Sequence, residues 1–261
     1  MKKRIVTIAL VIALLATCFA GTLAYLQDTD AAVNTMTVGN VEIMQKEHQL
    51  VDGELVELSA SPVLKLLPVV YFGSGNYPTA AEEWYFGNQY ANLDVSDGTA
   101  LLDRWTTLWN APNVVDKMIS VTNTGDHGAY VRTIIALPAE VDPYVVLNRT
   151  AGKTWAEVEV EGVEYNGDIY NIVIYTYIRA DGILEPKEST GPNVMQVLLT
   201  NDVENDTISD KYDAGIKIFA LSQAVQAAGF TSADQALNAA FGEPTAVNIA
   251  AWLAAVYSAN P

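Results

Sequence analysis

Short stretches of β-branched and aromatic residues, bounded by turn residues, recur along most of this chain. Residues 116–125 have strand character and end in an Asn/Gly turn, and residues 129–137 form a second such stretch that Pro138 closes. Residues 169–178 are β-branched or aromatic almost throughout, which is typical of a central strand. Because no helical segments alternate with these stretches, the pattern predicts a mainly β fold built as an antiparallel sandwich.

The connections and the remaining strands follow from the same pattern. Within residues 129–137, Arg132 and Thr133 are expected on opposite faces. Residues 34–43 have strand character that breaks at Gly39, which suits a β-bulge. Residues 125–128 suit a short hairpin loop between the two central strands. Further strands are expected at residues 53–58, 63–71, 155–163, 194–199 and 216–221.

The last thirty residues predict two short helices. Residues 232–241 follow a capping residue, either Thr231 or Ser232, and carry Asp234 in the first turn. Residues 246–257 are alanine-rich, with larger apolar residues at helical spacing. The expected architecture is therefore a β-sandwich that ends in short C-terminal helices.

The first 24 residues have the layout of a cleavable secretory signal. Basic residues at positions 2–4 precede an apolar stretch at 5–17 and a segment rich in small residues at 18–24. A signal peptidase needs small side chains just before the bond that it cuts, which predicts cleavage between Ala24 and Tyr25. The protein is therefore expected to be secreted, either into an extracellular matrix or onto the cell surface.

The mature protein would be residues 25–261, interpreted as one domain. Two alternatives stay open for its start. Residues 5–27 carry no charge and are long enough to remain as a membrane anchor, and Cys18 loosely fits a lipoprotein signal. Cys18 is the only cysteine, so the mature chain must be stabilised by its core or by assembly rather than by disulfides.

The charge of the chain restricts its partners. The formal net charge is −17, and removal of the three basic residues at positions 2–4 would take it to −20. Such an acidic surface argues against nucleic acid and anionic membranes as partners and favours solubility.

An aromatic-rich insertion occupies about residues 72–110. It combines many aromatic rings with Gly, Asn and Asp, which is unusual for a solvated linker. Flat rings bury a large area at low entropic cost, so the insertion could bind carbohydrate or protein. The alternative is that these rings close a lid over the sandwich core. The residues of the candidate platform are Trp84, Tyr85, Trp105 and Trp109.

Motifs for catalysis are missing from the sequence. His48 and His127 are the only histidines, no H-E-x-x-H or G-x-S-x-G pattern occurs, and no glycine-rich phosphate loop occurs. Both histidines are expected to be solvated. The Asp/Asn-rich residues 94–98 and 201–213 do not have EF-hand spacing and are interpreted as acidic loops rather than Ca²⁺ sites. The sequence thus predicts no enzyme, with no catalytic, cofactor or metal site.

Several segments resemble the TasA/camelysin (CalY) family. The start of the chain carries three of them: residues 21–26 (GTLAYL), 28–31 (DTDA) and 34–41 (NTMTVGNV). Further segments are residues 117–125 (KMISVTNTG), 129–135 (AYVRTII), 184–189 (LEPKES) and 223–230 (QAVQAAGF). Relatives often have Gly at the position of Lys187, and the aromatic insertion has no counterpart that the resemblance covers.

The resemblance implies a jelly-roll-like sandwich, export through a SipW-type signal peptidase, and assembly into fibres of a biofilm matrix. In such fibres the mature N-terminus adds as a strand to the next subunit. Here that donor would be about residues 26–36, with Asp28 and Asp30 keeping the free segment soluble. The apolar residues of the donor are Leu26, Ala32, Val33 and Met36.

The implied partners are copies of the same chain, the signal peptidase, and other matrix proteins or polysaccharide. The alternative for the donor segment is a leader that precedes an intramolecular strand. Two other functions remain open: a cell-surface adhesin or binding module, and a secreted metalloprotease of the camelysin type.

Overall fold

The computed structural model describes residues 35–51, 54–58, 63–67, 84–86, 107–109, 113–149, 155–179, 181–200, 212 and 215–257. In this part of the chain the protein is mainly β, as the sequence predicts. The strands are β1 Thr35–Val38, β2 Ile43–Val51, β3 Glu54–Glu57, β4 Val63–Leu64, β5 Trp84–Phe86, β6 Thr107–Trp109, β7 Val115–Asp116, β8 Met118–Asn123, β9 Ala129–Pro138, β10 Val145–Arg149, β11 Trp155–Tyr165, β12 Asp168–Tyr177, β13 Ile183–Leu184, β14 Val194–Leu199, β15 Ile216–Lys217 and β16 Phe219–Gln226. The helices are a 3₁₀ turn at Asp142–Tyr144, then α1 Ala233–Phe241 and α2 Ala246–Tyr257.

One sheet, called the front sheet here, has the order β1-β16-β9-β12-β11, with β13 paired to β9. The β9, β11, β12, β13 and β16 pairs are antiparallel, whereas β1 lies parallel to β16 at the edge. The predicted central strand at 169–178 is confirmed as β12, which lies between β9 and β11.

The second layer, called the back sheet, joins the three-stranded sheets β3-β2-β8 and β10-β14-β7. The segment before β14 runs along β8: Thr190 N–H donates to Val121 O at 2.9 Å and Asn193 N–H donates to Ile119 O at 3.0 Å. β7 leads into β8 with only Lys117 between them, and β7 also pairs with β14. These bonds therefore align the two sheets in the order β3-β2-β8-β14-β10, with β7 in line with β8.

The core lies between the two sheets, and a second apolar layer covers the outer face of the front sheet. Side chains from both sheets form one buried cluster that includes Ile119, Val121, Ile135 and Val173. On the other face of β9, Ile134 packs in a separate cluster with α2. The front sheet is therefore buried on both faces, which explains why its central strands lack exposed polar positions.

The predicted hairpin at residues 125–128 is wrong, because β8 and β9 belong to different sheets. β8 pairs with β2, whereas β9 pairs with β16, β12 and β13. Asn123 holds this crossing: its Nδ2 donates to His127 O at 2.8 Å and to Leu184 O at 2.9 Å, and its Oδ1 accepts from Gly125 N–H. An Asn/Gly turn thus redirects the chain across the sandwich instead of folding it back.

The predicted bulge at Gly39 is also a crossing. β1 ends at Val38 in the front sheet, and β2 begins at Ile43 in the back sheet. Gly39 has φ +95°, a conformation that glycine adopts without strain. A residue in that conformation lets the chain leave one layer for the other.

The two C-terminal helices are confirmed. Ser232 caps α1, because its hydroxyl accepts from Gln235 N–H at 3.3 Å. The apolar face of α2 is buried on the front sheet through Ile249, Trp252 and Leu253. The expected strand at 155–163 is confirmed as β11; of the expected buried run 63–71, Val63 is 59% exposed and residues 68–71 lie outside the described part.

Candidate functional site

Most residues predicted for processing and donation lie outside the described residues. This applies to the whole signal, to the cleavage residues Ala24 and Tyr25, and to Leu26, Ala32 and Val33 of the donor segment. Met36 is the one residue of the predicted donor set that lies in the described part: it is in β1, which pairs with β16 of the same chain.

β1 is a four-residue parallel strand at one edge of the front sheet. Its register sets Thr35 opposite Ser222 and Met36 opposite Gln223. Gln223 Nε2 donates to Met36 Sδ at 3.5 Å, and Val38 is buried beside α1. So short a strand makes few ladder bonds, and packing against the helical layer contributes much of its attachment.

Behind β1, a buried arginine ties the front sheet to the helices. Arg132 lies opposite Gln223 in the register and is 3% exposed. Its Nε donates to Gln223 Oε1 at 2.7 Å, and its terminal nitrogens donate to Asn238 Oδ1 at 3.1 Å and to Gly242 O at 3.4 Å. The guanidinium also lies over the Trp252 ring, 4.6 Å from its centroid. These bonds place a cation at the C-terminus of α1, where the helix dipole favours it.

Burial lowers the pKa of Arg132 to about 10, and the nearby carboxylate of Asp234 acts in the opposite direction. The guanidinium therefore stays protonated at neutral pH and keeps all of its donors.

On the inner face of the front sheet, a polar link crosses the sandwich core. Ser222 Oγ donates to Gln45 Oε1 at 2.7 Å and lies 3.0 Å from Thr133 Oγ1. Gln45 Nε2 donates to Ala220 O at 2.9 Å. Strand β2 of the back sheet is thereby bonded to β16 of the front sheet, and Ser222 in turn contacts Thr133 of β9.

A buried ion pair continues this polar link along the back sheet. Lys117 Nζ contacts Glu47 Oε2, and both side chains are enclosed, with exposed fractions of 0% and 2%. Desolvation lowers the pKa of Lys117, while the charge of Glu47 and its hydrogen bond oppose that shift. The sequence alone does not reveal this pair, although Lys117 alternates with the inward Ile119 and Val121, a position where a charge signals a buried partner.

The segments that carry the family resemblance come together in the fold. Residues 34–41, 129–135 and 223–230 supply the neighbouring strands β1, β9 and β16. Residues 117–125 form β8, and residues 184–189 run beside its end, where Glu188 O accepts from Asn123 N–H at 2.9 Å. Segments far apart in the sequence thus lie in neighbouring strands of the two sheets, with β1 among them.

The candidate aromatic platform is described in part. β5 and β6 form a two-stranded antiparallel ribbon in which Trp84 is paired with Trp109 and Tyr85 with Leu108. Trp105 lies outside the described residues. The structure therefore brings two of the three predicted tryptophans to directly opposite positions.

The histidines behave differently from each other. His127 is exposed in the crossing loop, as predicted. His48 is 4% exposed, so the prediction that it is solvated is wrong: it lies in β2, opposite Met118 and Glu57. Among the described residues, no group of three or more His, Cys, Asp or Glu side chains is arranged to hold a metal ion. The Asp/Asn-rich residues 94–98 are outside that part, as is nearly all of 201–213.

The opposite edge of the front sheet is acidic. β11 carries Glu157, Glu159 and Glu161 at exposed positions. A small cleft of about 70 Å³ between β10 and β11 includes Glu159, Glu161 and Asp142, and Asp142 accepts from Asn171 Nδ2 at 2.8 Å. Charges at a sheet edge oppose pairing with another chain, and these would also repel an acidic N-terminal segment.

No helix in the described part of the chain has both the length and the apolar character to cross a bilayer. Comparison of the chain with protein families, with curated proteins and with solved structures found no match.

Proposed function

We propose that this chain is a secreted structural protein of an extracellular or biofilm matrix. After a SipW-type signal peptidase removes residues 1–24, the freed N-terminal segment adds as a strand to the next copy, and repetition of this step builds a fibre. The protein is not an enzyme in this proposal, and its main partner is a second copy of itself, with other matrix proteins or polysaccharide as further partners.

The position of β1 is the observation that supports this proposal. β1 is the edge strand of the front sheet and overlaps the end of the proposed donor segment, at Thr35 and Met36. A segment that leaves a sheet at its edge can reach a neighbouring copy without disturbing the core. The opposite edge is acidic, so the charge of Asp28 and Asp30 disfavours self-pairing there.

Three forms of the chain test the proposal, starting at Tyr25, Asn34 and Thr37. The form starting at Asn34 lacks most of the donor segment, including Leu26, Ala32 and Val33, but keeps all of β1, so it should melt like the mature form. The form starting at Thr37 loses half of β1 and should melt at a lower temperature. Electron microscopy and size exclusion are expected to show fibres only for the form starting at Tyr25. Fibres of equal length and yield from the form starting at Asn34 would contradict the proposal.

A second candidate function is a surface adhesin or binding module. The paired positions of Trp84 and Trp109 in the β5–β6 ribbon favour it. Binding to a glycan array or to matrix polysaccharide should then be lost when Trp84, Trp105 and Trp109 are replaced by Ala, while fibre formation persists. Unchanged binding after these substitutions would reject the platform.

A secreted metalloprotease of the camelysin type is the third candidate. Casein hydrolysis that a chelator abolishes would support it over the matrix protein. Absence of hydrolysis, with and without added Zn²⁺, is the expected result.

A further inference from the structure

The buried contact between Lys117 and Glu47 joins two strands at the centre of the back sheet. Glu47 in β2 lies opposite Ile119 in β8, and Lys117 is the diagonal neighbour two positions earlier. Long side chains on diagonal positions of one sheet face can meet. Here the amine nitrogen contacts one carboxyl oxygen, Oε2, while Gln45 Nε2 lies 3.5 Å from the other, Oε1.

The surroundings of this contact exclude water. The Lys117 side chain has no exposed surface and that of Glu47 is 2% exposed. Inside such a site two opposite charges are costly to keep, and transfer of a proton from the ammonium to the carboxylate removes both. The lowered pKa of Lys117 acts in the same direction, because the neutral amine is the nucleophilic form.

We propose that Lys117 and Glu47 become joined by an intramolecular amide bond after folding. Proton transfer gives a neutral amine and a neutral carboxylic acid. The Lys117 nitrogen then forms a bond to Glu47 Cδ, and the Cδ–Oε2 bond breaks. Oε2 leaves as water: one of its protons is the one that the carboxyl group received from the ammonium, and the other comes from the amine nitrogen. No oxidant or cofactor is required. The fold supplies the proximity that converts a slow bimolecular condensation into an intramolecular step.

The position of the cross-link gives it a structural purpose. It would close a loop across a sequence separation of 70 residues, which contains the whole aromatic insertion at about 72–110. Cys18 is the only cysteine, so a disulfide within the mature chain cannot supply this constraint. A covalent tie from β2 to β8 would hold the sheet on both sides of the insertion during extension or proteolysis, and an amide does not depend on the redox state of the surroundings.

A second Lys–Glu pair, which joins β2 to β3, provides an internal control. Lys46 Nζ lies 3.4 Å from Glu57 Oε2, but the Glu57 side chain is 59% exposed. Water reaches the Glu57 side chain there, so the desolvation that acts on the buried pair does not act on this carboxyl group. The proposal predicts an amide at the buried pair and none at this exposed pair.

Mass spectrometry of the mature, folded protein tests this directly. The intact chain is expected to be lighter by one water molecule than its sequence requires, and the difference should persist in denaturant. Trypsin should not cleave after Lys117, and fragmentation should identify one branched peptide that contains Lys117 and Glu47. The peptides containing Lys46 and Glu57 should be unmodified.

Two variants locate the bond. Lys117→Arg keeps a cation beside Glu47 but lacks the primary amine that would form the amide, and this variant should have the full mass of its own sequence. Lys46→Arg should retain the loss of one water. A wild-type chain with the full sequence mass and normal cleavage after Lys117 would overturn the proposal, whether or not the variants fold. This result is independent of fibre formation, so each proposal can fail alone.

Discussion

At the scale of single residues, the polar side chains of the core determine how the layers are joined. Arg132 connects the front sheet to the C-terminus of α1 and to Trp252 of α2, and the Gln45–Ser222 bond connects the two sheets. Buried hydrogen bonds contribute modestly when they are made, but a partner left behind without its bond is costly. These residues therefore fix the relative positions of elements that apolar packing alone would specify less sharply.

Replacement of Arg132 tests this role. Arg132→Met would retain much of the packing against Trp252 but leave the side chains of Gln223 and Asn238 without their donor. We expect the free energy of unfolding in urea to fall by about 3 kcal/mol.

The matched control is Arg179→Met, because Arg179 is exposed. That change should stay within about 0.5 kcal/mol of the wild type. An equal effect of the two substitutions would show that the buried guanidinium does not connect the sheet and the helices in this way.

At the scale of elements, the sequence reveals most strands and both helices but not how they connect. β12, β14 and α2 follow from local patterns, since β-branched runs and helical spacing are properties of a few adjacent residues. The loop at 125–128 has the composition of a hairpin turn, yet Asn123 uses contacts from residue 184 to direct the chain into the other sheet. Such a distant partner cannot be identified from the turn residues themselves.

β2 shows that a strand rich in polar residues is also hard to predict from local sequence. Residues 43–51 include a run of polar side chains, so strand character and the burial of His48 were missed. Glu47 is buried because its partner, Lys117, is 70 positions away in the sequence. Alternation identifies Lys117 as inward, but only the fold reveals which carboxylate it meets.

The crossing from β1 to β2 makes a prediction at this scale. A Cβ at Gly39 would lie 3.0 Å from Gln226 Cβ, in addition to the strain of φ +95°. Gly39→Ala is expected to lower the free energy of unfolding by about 2 kcal/mol, measured by thermal or urea denaturation.

Gly167→Ala separates the two causes, because Gly167 has φ +85° and no atom within 4 Å of an added Cβ. It should show the strain alone, at about 1 kcal/mol. If Gly39→Ala lowers the free energy of unfolding no more than Gly167→Ala does, the added Cβ is accommodated beside Gln226, and the end of β1 is not packed tightly against β16.

At the scale of the whole molecule, the fold separates a stable body from the segment that is proposed to link copies. Among the described residues, the sandwich and its two helices form the buried core, and β1 lies at the edge where the N-terminal segment joins it. The acidic edge at β11 disfavours sheet pairing there, so the proposed acceptor for the N-terminal segment is another edge of the next copy. Secretion, cleavage and fibre formation stay predictions from the sequence.

The most direct test of whether the N-terminal segment links copies is the binding of a labelled peptide, with the sequence of residues 25–36, to the form that starts at Asn34. Fluorescence anisotropy is expected to show saturable binding, and an excess of the peptide should stop fibre growth by the form that starts at Tyr25. A peptide of the same composition in scrambled order should do neither. If the native peptide binds no better than the scrambled one and fibres grow at the same rate in its presence, the N-terminal segment does not link the copies.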